Sequence, residues 1–134
     1  MKEIVWVVDD DSDVREAMRM LLTLLGYDVV EFREAREATE AIRIGQRPQI
    51  LFLDINLPGV SGVQFLMALR GLPGWKQVPI VIVSAESASE SVELVIRQGA
   101  DGYVFKPVTY DELRMAIQSA RGRRKIQTGK LDSK

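Results

Sequence analysis

Unbroken apolar runs alternate along this chain with stretches of helical periodicity. The runs cover residues 4–8, 50–53, 80–83 and 103–105, and each ends at a charged or hydroxyl group. A short continuous apolar run bounded by turn residues predicts a strand buried on both faces. Residues 28–32 alternate polar and apolar instead, the pattern of a half-exposed edge strand. Between these lie five helical patterns. Val14, Ala17, Met18, Leu21, Leu22 and Leu25 form the first, with Ser12 or Asp13 as its cap, Glu16 three residues after Asp13, and Gly26 as its stop. Ala35, Ala38, Ala41 and Ile42 form a small-faced second helix that ends near Gly45, and Val63, Leu66 and Leu69 a third, broken by 71–75. Ser87 with Glu90 predicts a capping box before Val92, Val95 and Ile96, closed by Gly99. Thr109 with Glu112 caps the last helix, whose inner face is Leu113, Ala116, Ile117 and Ala120.

Five strands alternating with five helices imply a single α/β domain, a parallel sheet with right-handed crossovers and helices on both faces. All strands of such a sheet point one way, so their carboxyl ends share an edge, which is where open α/β sheets bind ligands. Asp9 and Asp10, Asp54, Ser84 and Lys106 are the groups at those ends. From Arg121 onward the sequence turns polar and basic, so the domain is expected to span 1–121, with 122–134 a frayed tail or the start of a linker.

Composition narrows the chemistry. The 134 residues suffice for one domain with a real core, and 46% apolar and 28% charged residues are ordinary for a globular protein. There is no cysteine and no histidine, so disulfides, thiolate metal sites and imidazole catalysis are excluded. A net charge of −1 exerts no global pull on nucleic acid, and no apolar run is long enough for a membrane span. The expectation is a cytoplasmic domain that touches neither. Clustered carboxylates repel by several kcal/mol per pair at an effective dielectric of about 20, so a cation is required. Oxygen ligands alone favour a hard divalent ion, and Mg²⁺ is the expected one. Lys106 is a point charge suited to a phosphoryl oxygen and Ser84 a donor to another. That set is what an aspartyl-phosphate intermediate needs.

These residues resemble the receiver domain of two-component response regulators. The resemblance rests on Asp9-Asp10, on Asp54 with Pro58 and Gly62 after it, on Ser84-Ala85 and on Lys106-Pro107, and covers roughly residues 3–121. It implies a doubly wound, flavodoxin-like (βα)5 fold with strand order 2-1-3-4-5. It further implies that Asp54 is the phosphoacceptor, that Asp10, Asp54 and the backbone carbonyl of Asn56 bind Mg²⁺, and that Asp9 acts mainly through bound water. Ser84 resembles the switch hydroxyl, Lys106 the lysine that contacts the phosphoryl group, and Tyr103 the switch aromatic, with a cis bond before Pro107. Asp11 is assigned either to this site or to the cap of the first helix. Asn56 and Glu86 occupy the positions that tune hydrolysis of the phosphoaspartate.

The implied function is a phosphorylation-activated switch. A histidine kinase or phosphotransfer protein donates a phosphoryl group to Asp54, and the surface of the fourth helix, fifth strand and fifth helix changes to control a partner or an output domain. A Mg²⁺-dependent small-molecule phosphatase and a phosphorylation-independent interaction module are the alternatives. Gly102 stands where regulators with a charge-paired dimer carry a second acid, and Met115 and Ala116 where an Arg is expected, with Arg114 displaced to another face. The domain is therefore expected to be a monomer when unphosphorylated, leaving Val108, Tyr110 and Met115 for a different partner.

Overall fold

The computed structural model describes residues 2–85 and 88–132. Ser87, expected to cap the fourth helix, and Glu86 lie outside the described residues. The strands are β1 (Ile4–Val8), β2 (Asp28–Phe32), β3 (Ile50–Leu53), β4 (Ile80–Ser84) and β5 (Gly102–Phe105). The helices are α1 (Ser12–Leu24), α2 (Ala35–Arg43), α3 (Gly62–Arg70), α4 (Ser89–Arg97) and α5 (Tyr110–Asp132). The sheet is parallel throughout with order β2-β1-β3-β4-β5, so the reversal of strand order falls between β1 and β3.

Side chains alternate across the sheet and feed two cores. Trp6, Val8, Leu51, Leu53, Ile80 and Ile82 face α2, α3 and α4, where Ala38, Leu66, Leu69 and Val95 are buried. Val5, Val7, Ile50, Phe52, Val81 and Val83 face α1 and α5, meeting Met18, Leu22, Leu113, Ile117 and Ala120. The alanines of α2 let that helix lie close to Trp6, whose ring sits 4.8 Å from Phe32 and 5.9 Å from Trp75. Trp75 follows the break after α3 yet is buried, so that turn closes the core as well as ending a helix.

The helix ends follow their local chemistry. Gly26, Gly45 and Gly99 all adopt positive φ after α1, α2 and α4. Thr109 accepts from the Glu112 N–H at 3.3 Å and its hydroxyl donates to the Glu112 carboxylate at 2.8 Å, as expected. Two ends differ from expectation, and at α4 the expected cap Ser87 lies outside the described residues. Asp11, not Ser12 or Asp13, is the cap of α1 and accepts from the N–H groups of Asp13 and Val14. Its carboxylate lies one residue earlier, where the backbone is still extended. The N-cap of α4 is Ala88, with no side-chain cap bond. Ser61 and Gln64 form a complete capping box on α3, which the apolar spacing alone did not reveal.

The largest difference concerns the basic end of the chain. The segment expected to run as a tail from 122 is helical to Asp132. Arg124 is buried, and its guanidinium meets Asp101 at 2.8 Å. Asp101 carries no exposed side-chain surface and also pairs with Arg70 at 2.8 Å. Its Oδ2 accepts the Ile80 N–H at 2.9 Å, while its own N–H donates to the Ile80 carbonyl at 2.7 Å. One carboxylate thus ties the start of β4, the loop before β5, the end of α3 and the extension of α5.

Candidate functional site

The rim is assembled by β1, β3, β4 and β5 ending at one level. The register pairs Val8 with Leu53 and Ser84 with Phe105, so the next residues, Asp9, Asp54 and Lys106, emerge together. The Asp9 N–H donates to the Phe32 carbonyl, the Asp54 N–H to that of Val8, and the Lys106 N–H to that of Ser84, each at 3.0 Å. The ladders therefore continue one residue past the strands and hold the functional backbone rigid.

Asp9 and Asp54 are buried, Asp10 is exposed, and a carboxylate oxygen of each lies within 4.8 Å of the other two. Lys106 Nζ stands 2.9 Å from Asp9 Oδ2 and 3.1 Å from Asp54 Oδ2. The Asn56 N–H donates to Asp54 Oδ1 at 3.0 Å, folding the loop after β3 back over the carboxylate. Ser84 is fully buried at the end of β4. Tyr103 is half-buried against the core, with its ring 5.1 Å from that of Phe105. The Lys106–Pro107 peptide is cis, as the resemblance implies. Asp11 is spoken for by its cap and stands outside the acid cluster among the described residues.

Electrostatics confirm a crowded anionic pocket. Burial raises the Asp9 carboxyl above its ordinary range, opposed by Lys106 and the Asp11 N–H and reinforced by the charge of Asp54. Burial pulls the Lys106 ammonium down, but Asp9 and Asp54 outweigh it and hold the group above its ordinary value. Asp9 Oδ2 is buried without a directed hydrogen bond, its approach to Lys106 being an ion contact. An under-bonded buried oxygen in a set of three carboxylates fits a hard divalent cation, so the residues present suit Mg²⁺. Without metal, the folded protein binds a proton on Asp9 more tightly than the unfolded chain does. Asp9 therefore subtracts from stability above its folded pKa, and this penalty fades as pH falls towards the ordinary value of 3.8. Metal-free Asp9→Asn is expected to exceed the native chain in urea resistance at pH 7, with the gap closing towards pH 4.

One residue important to the site, Arg15, was not singled out by sequence, and Gly62, which the resemblance includes, has a steric role that the sequence did not show. Arg15 donates to the Asp9 carbonyl at 2.7 Å and pairs with Glu31 of β2 at 3.3 Å, bracing the end of β1. Gly62, the first residue of α3, presses on the backbone that carries the nucleophile candidate. A methyl group there would overlap the Asp54 carbonyl oxygen and the Ile55 Cα, which are backbone atoms that cannot step aside. Gly62→Ala is expected to cost about 1–3 kcal/mol. That exceeds the gain of at most ~1 kcal/mol from helix propensity. Denaturant unfolding checks this, and a stability equal to that of the native chain would show that the loop yields.

The family model for the response regulator receiver domain matches residues 5–118. The KdpE transcriptional regulatory protein of Mycobacterium tuberculosis is 34% identical over 119 residues, covering 87% of this chain and 50% of that protein. The DNA-binding response regulator MtrA of Mycobacterium leprae is 35% identical over 119 residues, covering 89% and 51%. The chain thus spans about half the length of these relatives. Among solved structures, the chemotaxis response regulator CheY4 of Vibrio cholerae superposes with a TM-score of 0.81 at 28% identity, covering 90% of this chain and 99% of that one. NtrX of Brucella abortus gives a TM-score of 0.84 at 27% identity, covering all of this chain and 30% of that one. With its five-stranded order, its carboxylate rim and this family match, the chain belongs to the response regulator receiver domain family.

Proposed function

We propose that this domain is a switch operated by phosphorylation of Asp54, with the phosphoryl group supplied by a histidine kinase or a phosphotransfer protein. The observation that carries the reading is Lys106, held at 2.9 Å and 3.1 Å between Asp9 and Asp54 inside a triad of carboxylates. An Asp54 carboxylate oxygen forms the new bond to phosphorus as the bond from phosphorus to the donor nitrogen breaks, and the electron pair leaves on the donor. Asp10, Asp54, the Asn56 carbonyl and, through water, Asp9 would hold Mg²⁺, which supplies charge neutralisation for the transferring oxygens. Lys106 stabilises negative charge beside Asp54, and Ser84 offers its hydroxyl to a phosphoryl oxygen. The domain in this reading assists its own phosphorylation and dephosphorylation without turning over a free substrate. Neither the phosphatase nor the phosphorylation-independent reading is favoured by any contact.

Residues 1–121 form the switching unit in this reading, and the segment from 122 onward, helical as far as Asp132, leads to a downstream protein or a linked output domain. The working surface is α4, β5 and α5, on which Phe105, Tyr110 and Met115 are exposed. Tyr103 turns further inward with Ser84 on phosphorylation, altering that surface by differential contacts in the two states. Arg114 pairs with Asp111 on its own helix at 3.8 Å and is half-exposed, a weak contact that supports reading this face without a charge-paired dimer. The unphosphorylated domain is accordingly a monomer, acting in the cytoplasm without contacting nucleic acid itself. Asn56 and Glu86 tune the lifetime of the phosphoaspartate. Asn56→Ala and Glu86→Ala are each expected to alter its decay without abolishing its formation.

The test is incubation with a small phosphodonor and Mg²⁺, read by intact mass. One added phosphoryl group that maps to Asp54 supports the proposal. No mass gain, or modification elsewhere, overturns it.

A further inference from the structure

At the amino edge of the sheet, opposite the carboxylate rim, a cleft of about 530 Å³ opens between the α3–β4 loop, the end of α4 and the α5 extension. Arg70, Lys76, Arg97, Arg123 and Arg124 line it. Behind two of these side chains, Arg70 and Arg124, the fully buried carboxylate of Asp101 pairs with both. Arg70 and Arg124 form the floor and are already committed. Arg70 donates to the carbonyls of Gly99, Trp75 and Val78 as well as to Asp101. Arg124 donates to those of Lys76 and Gly99 as well as to Asp101. Gly99 makes this possible, because a Cβ there would lie 2.9 Å from Arg70 Cγ. The Gly99 carbonyl, just past the negative end of α4, is covered by both guanidiniums.

The rim is different. Arg123 reaches Asp101 only at 3.9 Å, and neither Lys76 nor Arg97 has an ion pair among the described residues. Five cations thus line the cleft, and the carboxylate behind it pairs closely with only two of them. Burial lowers the Arg70 guanidinium to about 10, Asp101 opposes this and Arg124 adds to it, so the floor of the cleft is desolvated. Like charges gathered around a low-dielectric floor favour a counter-charge, the same reasoning that places a cation among the carboxylates at the other edge.

We propose that this cleft is an anion site for a small molecule bearing two or more linked phosphates. Two guanidinium forks and an ammonium on the rim suit several phosphate oxygens at once, and Gln98 and Gln127 offer further donors. The volume is that of a small-molecule site. The overall charge of −1 exerts no global pull on nucleic acid. A ligand here joins α4 through Arg97, α5 through Arg123 and the α3–β4 loop through Lys76. It therefore braces the helical extension against the body of the domain.

The experiment is titration of the metal-free protein with tripolyphosphate at constant ionic strength, followed by calorimetry and backbone amide shifts. Saturable one-to-one binding with shifts centred on Gln98, Gly99 and Arg123 is expected. Arg97→Gln and Arg123→Gln should each weaken it ~10-fold or more, about 1.4 kcal/mol. Both side chains are exposed, and neither is needed for the buried pairing of Asp101 with Arg70 and Arg124, so folding is not at stake. Non-saturating shifts, shifts centred on Ser84 and Lys106, or undiminished affinity in both variants would each overturn the proposal.

Discussion

Asp54→Asn is expected to fold normally and to accept no phosphoryl group. The amide keeps the shape of the carboxylate and can still accept the Asn56 N–H, which bonds Asp54 Oδ1 at 3.0 Å. What disappears is the charged nucleophile. Stability should move in an instructive direction. The native pocket holds three carboxylates within 4.8 Å of one another against a single ammonium, so deleting one charge relieves repulsion. Lys106 keeps its contact with Asp9 at 2.9 Å. The metal-free variant should therefore match or exceed the native chain in thermal stability, while the extra stabilisation conferred by Mg²⁺ shrinks. Intact mass after treatment with a phosphodonor, and melting with and without Mg²⁺, check the two halves separately. A phosphorylation rate equal to that of the native chain would remove Asp54 from the nucleophile's role.

Asp101→Ala is expected to be among the most damaging single changes to stability. The carboxylate is inaccessible and accepts from Arg70, Arg124 and the Ile80 N–H. Removing it strands two guanidiniums whose side chains are only 12% and 10% exposed, and leaves a strand N–H unpaired. Breaking a buried pair by deleting one partner costs about 3–5 kcal/mol. A domain of this size has roughly 5–15 kcal/mol in total. Arg124→Ala should cost less, because Asp101 retains Arg70 and the Ile80 N–H. Urea unfolding of both variants measures the order. If Asp101→Ala unfolds within ~0.5 kcal/mol of the native chain, the network is not structural.

The two arginines explain why the end of the domain was not legible in the sequence. An Arg-rich stretch with few apolar residues reads as a solvated tail, since guanidiniums are rarely buried without a partner. The partner of Arg124 lies 23 positions earlier, in a loop where Asp101 itself reads as an ordinary turn residue. Only folding brings the two together. Trp75 was hidden similarly, because its burial depends on Trp6, which arrives from β1.

What the sequence determined by itself was the architecture and the rim. Unbroken apolar runs specify strands buried on both faces. Their alternation with helices specifies a parallel sheet, and parallel strands bring Asp9, Asp10, Asp54, Ser84 and Lys106 to one edge whatever the details of packing. These are consequences of local periodicity and chain direction, which one sequence carries in full. The tertiary structure alone decided the choice of Asp11 as cap, the pressure of Gly62 on the Asp54 backbone, the hold of Arg15 on Asp9 and the burial of Arg124. Each depends on a distance of a few ångströms, between atoms far apart in the chain or along a backbone whose local path is set by packing. Hydrophobic periodicity constrains which face a residue takes, but carries no information about which polar group will meet it there.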